Sequence, residues 1–466
     1  MSRYSPFDKQ LNDLEASDLQ ALTMATEGWY IEYKREVPNA SSIAKSISAF
    51  ANTYGGWLFY GVVEKSKENS VAGAFPGISR SEIDSALQCI RQATSSHVNP
   101  TPHYETKVFW GPCEAIGLTS NQAVICAEIP QSTTAPHVHK SGQIYRRVSD
   151  GSEPKPENDR FILDQLWQRS NRLRRDYKKW VQRKPEFSEP ERGTPYVRLL
   201  LVTDLWRDKG AWVGADLGEL RRLMETTTFR LGSIPFDNVY TSGNAIIGRQ
   251  IRGNNPQNLG LTWRFYRDLV SEILVPLNCT HVQRHPQELH HHLEGYDHIN
   301  RYIDILIRAG HQTPHVVDVN FLFRVLVGVV ELQDNLMRAG NWTGNYYAKA
   351  QLLNAWRTIP FLDIPSVLDE FDSHGVPMCL NNCVTSPAGT APETFVEIAL
   401  PSSITDDQGR SFFSAHLLFE PIALALGIPS LFDTHTSEQH SELGVELYRA
   451  GLRAMSAQTI RNSKQL

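Results

Sequence analysis

The sequence predicts an α/β protein of two parts: an N-terminal mixed sheet with packed helices, then a mixed, mainly helical C-terminal domain. Three observations carry that expectation. A chain of 466 residues is about three times the size of a typical domain, long enough for two or three cores. Between Trp29 and Val63 the pattern runs strand, helix, strand. The charge is also divided: residues 165–184 hold eight Lys and Arg against Asp176 alone, a net +7, between stretches of −4 (1–164) and −8 (185–466). One cationic, helix-length segment therefore marks a boundary. The expected organisation is a leader (1–21), an α/β domain (22–160), a basic connecting helix (161–188) and a C-terminal α-rich domain (189–466).

Composition narrows the class. At 41% hydrophobic and 21% charged residues the chain is globular, and collagen-like, disordered and disulfide-stapled readings fall away. Six cysteines scattered over this length suit free thiols in a reducing compartment, so a cytoplasmic location is expected. The N-terminus is acidic and polar where an export signal needs an apolar run. The apolar window Phe321–Leu332 is broken by Arg324 well short of the ~20 residues that span a bilayer, so no membrane association is expected.

The elements follow in order. Leu11–Leu14 and Ala16–Ala25 read as helical. Trp29–Lys34 reads as a strand from its aromatic and β-branched content. Ser41–Asn52 reads as a helix capped by Ser41 or Ser42, with Ile43, Ile47, Phe50 and Ala51 on its buried face, and Gly55-Gly56 ends it. Trp57–Val63 is apolar on both faces, as a central strand is. A helix over Arg80–Ser95 and strands at Tyr104–Trp110, Ala123–Glu128 and Gln143–Val148 complete the first domain. Beyond the basic helix, Tyr196–Thr203 reads as a strand and Leu217–Glu225 as a helix. Longer helical patterns cover Leu261–Leu274, Tyr296–Ala309, Val319–Arg338, Tyr346–Trp356 and Ser437–Ser456.

The residues that could carry chemistry are Glu27, Glu32, Lys34 and Glu64. Glu32 and Lys34 stand two apart on a strand and share a face, Glu27 enters from the preceding turn, and Glu64 closes the next strand. Carboxylates are hard oxygen ligands for Mg²⁺ or Mn²⁺, which can activate water and neutralise a phosphodiester, while the lysine stabilises the phosphate. By spacing alone, surface carboxylates flanking a strand explain the pattern as well. In the basic window, Arg169, Arg172, Arg174, Arg175, Lys178 and Lys179 form either a phosphate-facing stripe or the solvated side of a helix packed through Leu166, Leu173, Tyr177 and Trp180.

The stretches Thr26–Lys34, Ile47–Val62 (with Ala49-Phe-Ala-Asn-Thr-Tyr-Gly-Gly56 at its centre), Ala127–Ser132 and Tyr145–Gly151 together resemble the Schlafen AlbA_2 domain over about residues 22–156. The resemblance implies a metal-dependent endoribonuclease acting on structured RNA, tRNA foremost, with Glu27, Glu32 and Glu64 holding Mn²⁺ or Mg²⁺ and Lys34 assisting. It implies phosphate contacts from Arg146, Arg147 and the basic helix, and a homodimer to supply the second lobe that two-lobed members carry within one chain. One departure touches the third acid: where nuclease members read Gly-Val-Asp-Asp, this chain reads Gly61-Val62-Val63-Glu64, so the acid stands at Glu64 or the site is damaged at Val63. By analogy, such a nuclease fits an antiphage defence effector with a sensing C-terminal region. The rival expectation is a non-catalytic regulator binding DNA or RNA, and a DNA substrate is equally compatible with metal-assisted hydrolysis.

Other candidates are fewer. His281, His285, His290, His291, His292 and His298 cluster after Cys279, suggesting zinc or a polar loop. Cys379 and Cys383 stand four apart near Pro377. The segment 240–256, with Arg249 and Arg252, reads as a ligand loop or as strands with turns. No Gly-x4-Gly-Lys-Ser/Thr, Gly-x-Ser-x-Gly or His-Glu-x-x-His motif occurs.

Overall fold

The computed structural model describes residues 4–7, 9, 11–66, 68–148, 153–205, 216–225, 234–251, 255–340, 342, 344–399, 404, 407–428 and 444–456. The chain divides into two compact units, with the division between Asp176 and Tyr177.

The first unit is organised by β1 (Ile31–Lys34), α1 (Ala40–Asn52) and β2 (Gly55–Tyr60). β1 and β2 pair in parallel, with Glu32 opposite Leu58, so the helix between them is the crossover that parallel pairing requires. The cap of α1 is Asn39, whose side chain accepts from the Ser42 amide at 3.0 Å, not Ser41 or Ser42; an amide oxygen at the first non-helical position satisfies an otherwise orphaned N–H. At the other end Gly55 has φ +76°, and a Cβ there would come within 2.6 Å of the Gln131 amide. Only glycine fits.

The unit continues through β3 (Val63–Glu64), β4 (Ala72–Ala74), β5 (Ile78–Ser79), α2 (Ile83–His97), β6 (Val98–Asn99), β7 (Glu105–Trp110), β8 (Gln122–Pro130), β9 (Val138–His139), β10 (Tyr145–Arg146), β11 (Lys155–Pro156) and the first part of the long α3 (Arg160–Gln182), which from Tyr177 on belongs to the second unit. The main sheet has five strands in the order β1-β2-β8-β5, with β7 also on β8. Alternation along β2 sends Trp57 and Phe59 to one face and Leu58 and Tyr60 to the other. Ile43, Ile47, Phe50 and Ile90 from α1 and α2 cover the Leu58 face. Leu11, Leu14, Leu19 and Leu22 cover the Trp57 face. Residues expected as a leader are thus one wall of the domain, each buried leucine contributing roughly 1.5–3 kcal/mol.

The second unit is more sheet-rich than expected. It comprises β12 (Tyr196–Val202), α4 (Leu217–Glu225), β13 (Asn238–Ser242), β14 (Ala245–Arg249), β15 (Thr262–Tyr266), β16 (Ser271–Pro276), β17 (Asn278–His281), the single turn α5 (Leu289–His292), α6 (Ile299–Arg308), β18 (His315–Asp318), α7 (Leu322–Ala339), β19 (Tyr346–Leu353), β20 (Thr358–Phe361), α8 (Pro365–His374), β21 (Cys383–Ser386), β22 (Val396–Ile398) and α9 (Asp407–Ala425). An eight-stranded sheet runs β13-β14-β15-β16-β12-β19-β21, with β22 on β19, and a smaller one runs β17-β18-β20. The α/β class holds, but the helical patterns over Leu261–Leu274 and Tyr346–Trp356 are strands. Thr262–Tyr266 and Ser271–Pro276 form a hairpin that turns at Leu269, φ +60°. Tyr346–Leu353 is rich in Ala, Lys, Gln and Leu, good helix formers, yet it is a nearly fully buried central strand; pairing on both edges overrides propensity. The described part of the pattern over Ser437–Ser456, residues 444–456, is helical, and 437–443 lie outside the described residues. In the 240–256 segment a β13–β14 hairpin replaces the ligand loop, Arg249 donates to the Pro256 and Asn258 carbonyls, and Arg252 lies outside the described residues.

Candidate nucleic-acid site

Strand geometry places Glu32 and Lys34 on one face of β1, and their side chains meet: Lys34 Nζ lies 3.0 Å from Glu32 Oε1. Glu32 is 1% exposed and accepts from three sides. Ser46 Oγ on α1 donates to Oε1 at 3.0 Å, and Arg147 Nη1 donates to Oε2 at 2.9 Å. Arg147 is itself fully buried. Its guanidinium also donates to the Gly28 carbonyl and lies over the Phe50 ring, 4.7 Å from the centroid. A buried carboxylate is tolerated only when its charge is matched and its lone pairs are used; Arg147, Lys34 and Ser46 do both.

Glu27 is half-buried and accepts from the Tyr33 amide at 2.8 Å. Burial pushes its carboxyl above the usual range; the Tyr33 amide and Lys34 hold it down, while Glu32 and Glu64 push it further up. Glu64 therefore joins the same electrostatic neighbourhood. The local reason is a β-bulge: Val63 pairs with Ala74 and Glu64 with Ala72, with Gly73 between, and a bulge re-aims the side chain beside it. Next to Glu27 in sequence, Trp29 and Tyr30 form an aromatic group with Tyr54 and Tyr4: Tyr4 stacks on Tyr30 at 4.6 Å, and Trp29 lies 5.5 Å from Tyr54.

A divalent ion suits part of this donor set. Glu27 and Glu32 share the field of Lys34 and Arg147, and Glu64 adds a weaker negative field at Glu27. Mg²⁺ is commonly held by one or two carboxylates with waters and substrate phosphates completing its shell, a role Glu27 and Glu64 fit. Glu32 does not fit it, since each of its oxygens already serves a cation. Among the described residues no three His, Cys, Asp or Glu side chains form a metal-holding group, so the three-glutamate centre is not assembled.

The expected phosphate contacts divide. Arg147 belongs to the interior and cannot meet an RNA backbone. Arg146 is half-buried and paired with Glu157 at 2.6 Å. Arg169 donates to the carbonyls of Asn52 and Ser132. The others lie on the outer side of α3, where Arg172, Arg174, Arg175, Lys178 and Lys179 are exposed while Leu166, Leu173 and Tyr177 are buried; Arg172 approaches Asp176 at 3.9 Å. The missed residues are Ser46 and Arg147 as partners of Glu32. The alternation of Arg146 and Arg147 about the extended backbone, one side chain turned inward, was the available signal.

The histidine block does not assemble a zinc site among the described residues. His298 pairs with buried Asp363 at 3.1 Å, the His281 ring packs on His315, and His285 caps the turn Pro286–Glu288. Cys379 is buried and Cys383 lies on β21, both as free thiols.

The first unit is an α/β domain with a parallel β-α-β core and a carboxylate-lysine cluster on its first strand. Residues 27–156 match the Schlafen, AlbA_2 family, and the N-terminal unit carries that domain. No curated protein matches the chain. Among solved structures the chain is similar to the DIP2311 protein of Corynebacterium diphtheriae, at 17% identity and a TM-score of 0.19, over 44% of this chain and 36% of that one. The likeness spans little more than a third of that protein. No helix among the described residues is long and apolar enough to cross a membrane.

Proposed function

We propose that the protein is an endoribonuclease of structured RNA, tRNA first, whose Schlafen AlbA_2 domain cleaves phosphodiesters at the Glu27–Glu64 edge with Mn²⁺ or Mg²⁺. The observation that supports the reading is the half-buried Glu27 carboxylate in the field of Glu32 and Lys34. Glu27 is destabilised as an anion by burial and by Glu32 and Glu64, so it gains most from a nearby cation or proton. A bound divalent ion would supply charge neutralisation at the scissile phosphate. Lys34, one-third exposed, is free at its outer side to set its ammonium against a non-bridging oxygen. Glu32, locked by Arg147 and Ser46, acts as a positioning residue that holds Lys34 in place. The rings of Trp29, Tyr30 and Tyr54 offer faces for unpaired bases, and the exposed cations of α3 offer backbone contacts.

The test is incubation of the full chain with total tRNA and with single-stranded DNA, in Mn²⁺, Mg²⁺ or EDTA, beside Glu27→Gln and Glu64→Gln variants. Cleavage of tRNA that needs the ion and disappears in both variants supports the reading. Intact tRNA bound with strong salt dependence by wild type and variants alike assigns the domain to a non-catalytic regulator instead.

A further inference from the structure

A second polar cluster forms in the same domain from α1, α2 and β9. His139 is 4% exposed; its Nε2 lies 3.3 Å from Ser41 Oγ in the first turn of α1, and its Nδ1 lies 2.9 Å from Ser141 Oγ. His97, at the end of α2, sets its ring 6.5 Å from that of His139 and its Nε2 3.0 Å from Lys140 Nζ. Its Nδ1 is shut off from solvent without a hydrogen-bond partner. Tyr145 packs against His139 at 5.5 Å, and Lys45 Nζ stands over the Tyr145 ring at 5.0 Å.

The charge balance is the reverse of that at Glu27. Burial above all holds the His139 imidazole below the usual range; the Ser41 contact opposes this, and the neighbouring basic groups His97, Lys140 and Lys45 add to it. Two lysine ammonium groups stand around the buried imidazole, and no carboxylate is among the groups acting on it. Two ammonium groups, the Ser41 hydroxyl and the positive end of α1 supply what a phosphate group needs: charge, a directional donor and a helix N-terminus. A carboxylate ligand would use the same donors, but repeated phosphates are what an RNA-binding domain meets.

We propose that Lys45, Lys140, His97 and Ser41 form a phosphate subsite of the Schlafen AlbA_2 domain that grips one phosphodiester of the RNA backbone. This rests on the RNA reading above, and the experiment separates the two. In the full-length protein, the ring signals of His97 and His139 are followed by NMR as inorganic phosphate is added, and tRNA affinity is measured against salt, for wild type and for Lys45→Gln/Lys140→Gln. Both lysines reach the surface, so the variant keeps the fold, checked by its unchanged remaining spectrum. The expected result is a saturable shift of both rings in the wild type that the variant loses, with tRNA bound about tenfold more weakly and a salt slope lower by about 2. Rings that ignore phosphate in the wild type, or shift equally in the variant, overturn the subsite. Rings that respond while tRNA affinity is unchanged in the variant make it a site for free phosphate and overturn its assignment to RNA. Wild type that binds phosphate but no tRNA at all removes the RNA reading and leaves an anion site standing.

Discussion

Each unit buries an arginine-glutamate pair, and the two pairs have opposite surroundings. In the N-terminal unit Glu32 meets Arg147 and Lys34, but Glu27 and Glu64 add two further carboxylates. In the C-terminal unit Glu272 on β16 meets Arg198 on β12 at 2.7 Å, with Arg183 at 2.6 Å and Arg264 at 3.8 Å, so three cations surround one acid. The guanidinium of Arg198 is also used up on the Trp180 and Val181 carbonyls and the Gln351 side chain. The consequence is visible in the acids. Burial alone would raise Glu272, yet Arg198, Arg183 and Arg264 bring it below its ordinary value of 4.5, whereas Glu27 is raised above the same value. A buried ion pair is therefore no sign of function by itself. What separates the two clusters is their balance: the carboxylate beside Lys34 is raised, and the one ringed by arginines is lowered.

The contrast can be broken in order of expected effect. Arg147→Met strands Glu32 in the interior and should weaken protection of the β1 and α1 amides in hydrogen exchange by about 3–5 kcal/mol, while the paired change Arg147→Met/Glu32→Met should recover most of that loss. Full protection in the single variant would show that Lys34 suffices to hold Glu32. Glu27→Gln should lower tRNA cleavage at least ~100-fold, about 2.7 kcal/mol in the transition state, whereas Glu272→Gln should cost stability and leave the cleavage rate of the folded protein unchanged. Equal losses of rate would erase the distinction between the two clusters.

Removal of four α3 cations, Arg172, Arg175, Lys178 and Lys179, each to Ala, should weaken tRNA binding without sequence preference and lower the salt slope by about 4. An unchanged slope would return α3 to a plain solvated helix. The smallest effect is in the pH dependence of stability. Glu27, raised in the folded state, contributes stability that is present below pH 4.5 and lost as pH rises through its folded value. Glu272, lowered, contributes stability that is present above pH 4.5 and lost as pH falls through its folded value. Unfolding curves between pH 3 and 7 should accordingly show Glu27→Gln gaining on wild type as pH rises and Glu272→Gln gaining as pH falls. Parallel curves would contradict both assignments.

Much of the first unit was legible in the sequence because its signals are local. Aromatic and β-branched content located β1, a run apolar on both faces located β2, helical spacing located α1, and the paired glycines located its end. The same-face placement of Glu32 and Lys34 followed from strand geometry. The second unit was less legible: Tyr346–Leu353 has helical composition, and only its neighbours on both edges make it a strand. Leu11, Leu14 and Leu19 looked like a leader because nothing local says that the Trp57 face lacks another cover.

The sequence by itself determined the β-α-β core, the cationic character of the α3 segment and the identity of the acids near β1, since each depends on residues close together in the chain. Only the tertiary structure decided what those acids do. Arg147, more than a hundred positions after Glu32, turns inward to neutralise it, and His97 at the end of α2 meets Lys140 just after β9. Electrostatic free energy depends on distance through space and on burial, and neither quantity is written along the chain.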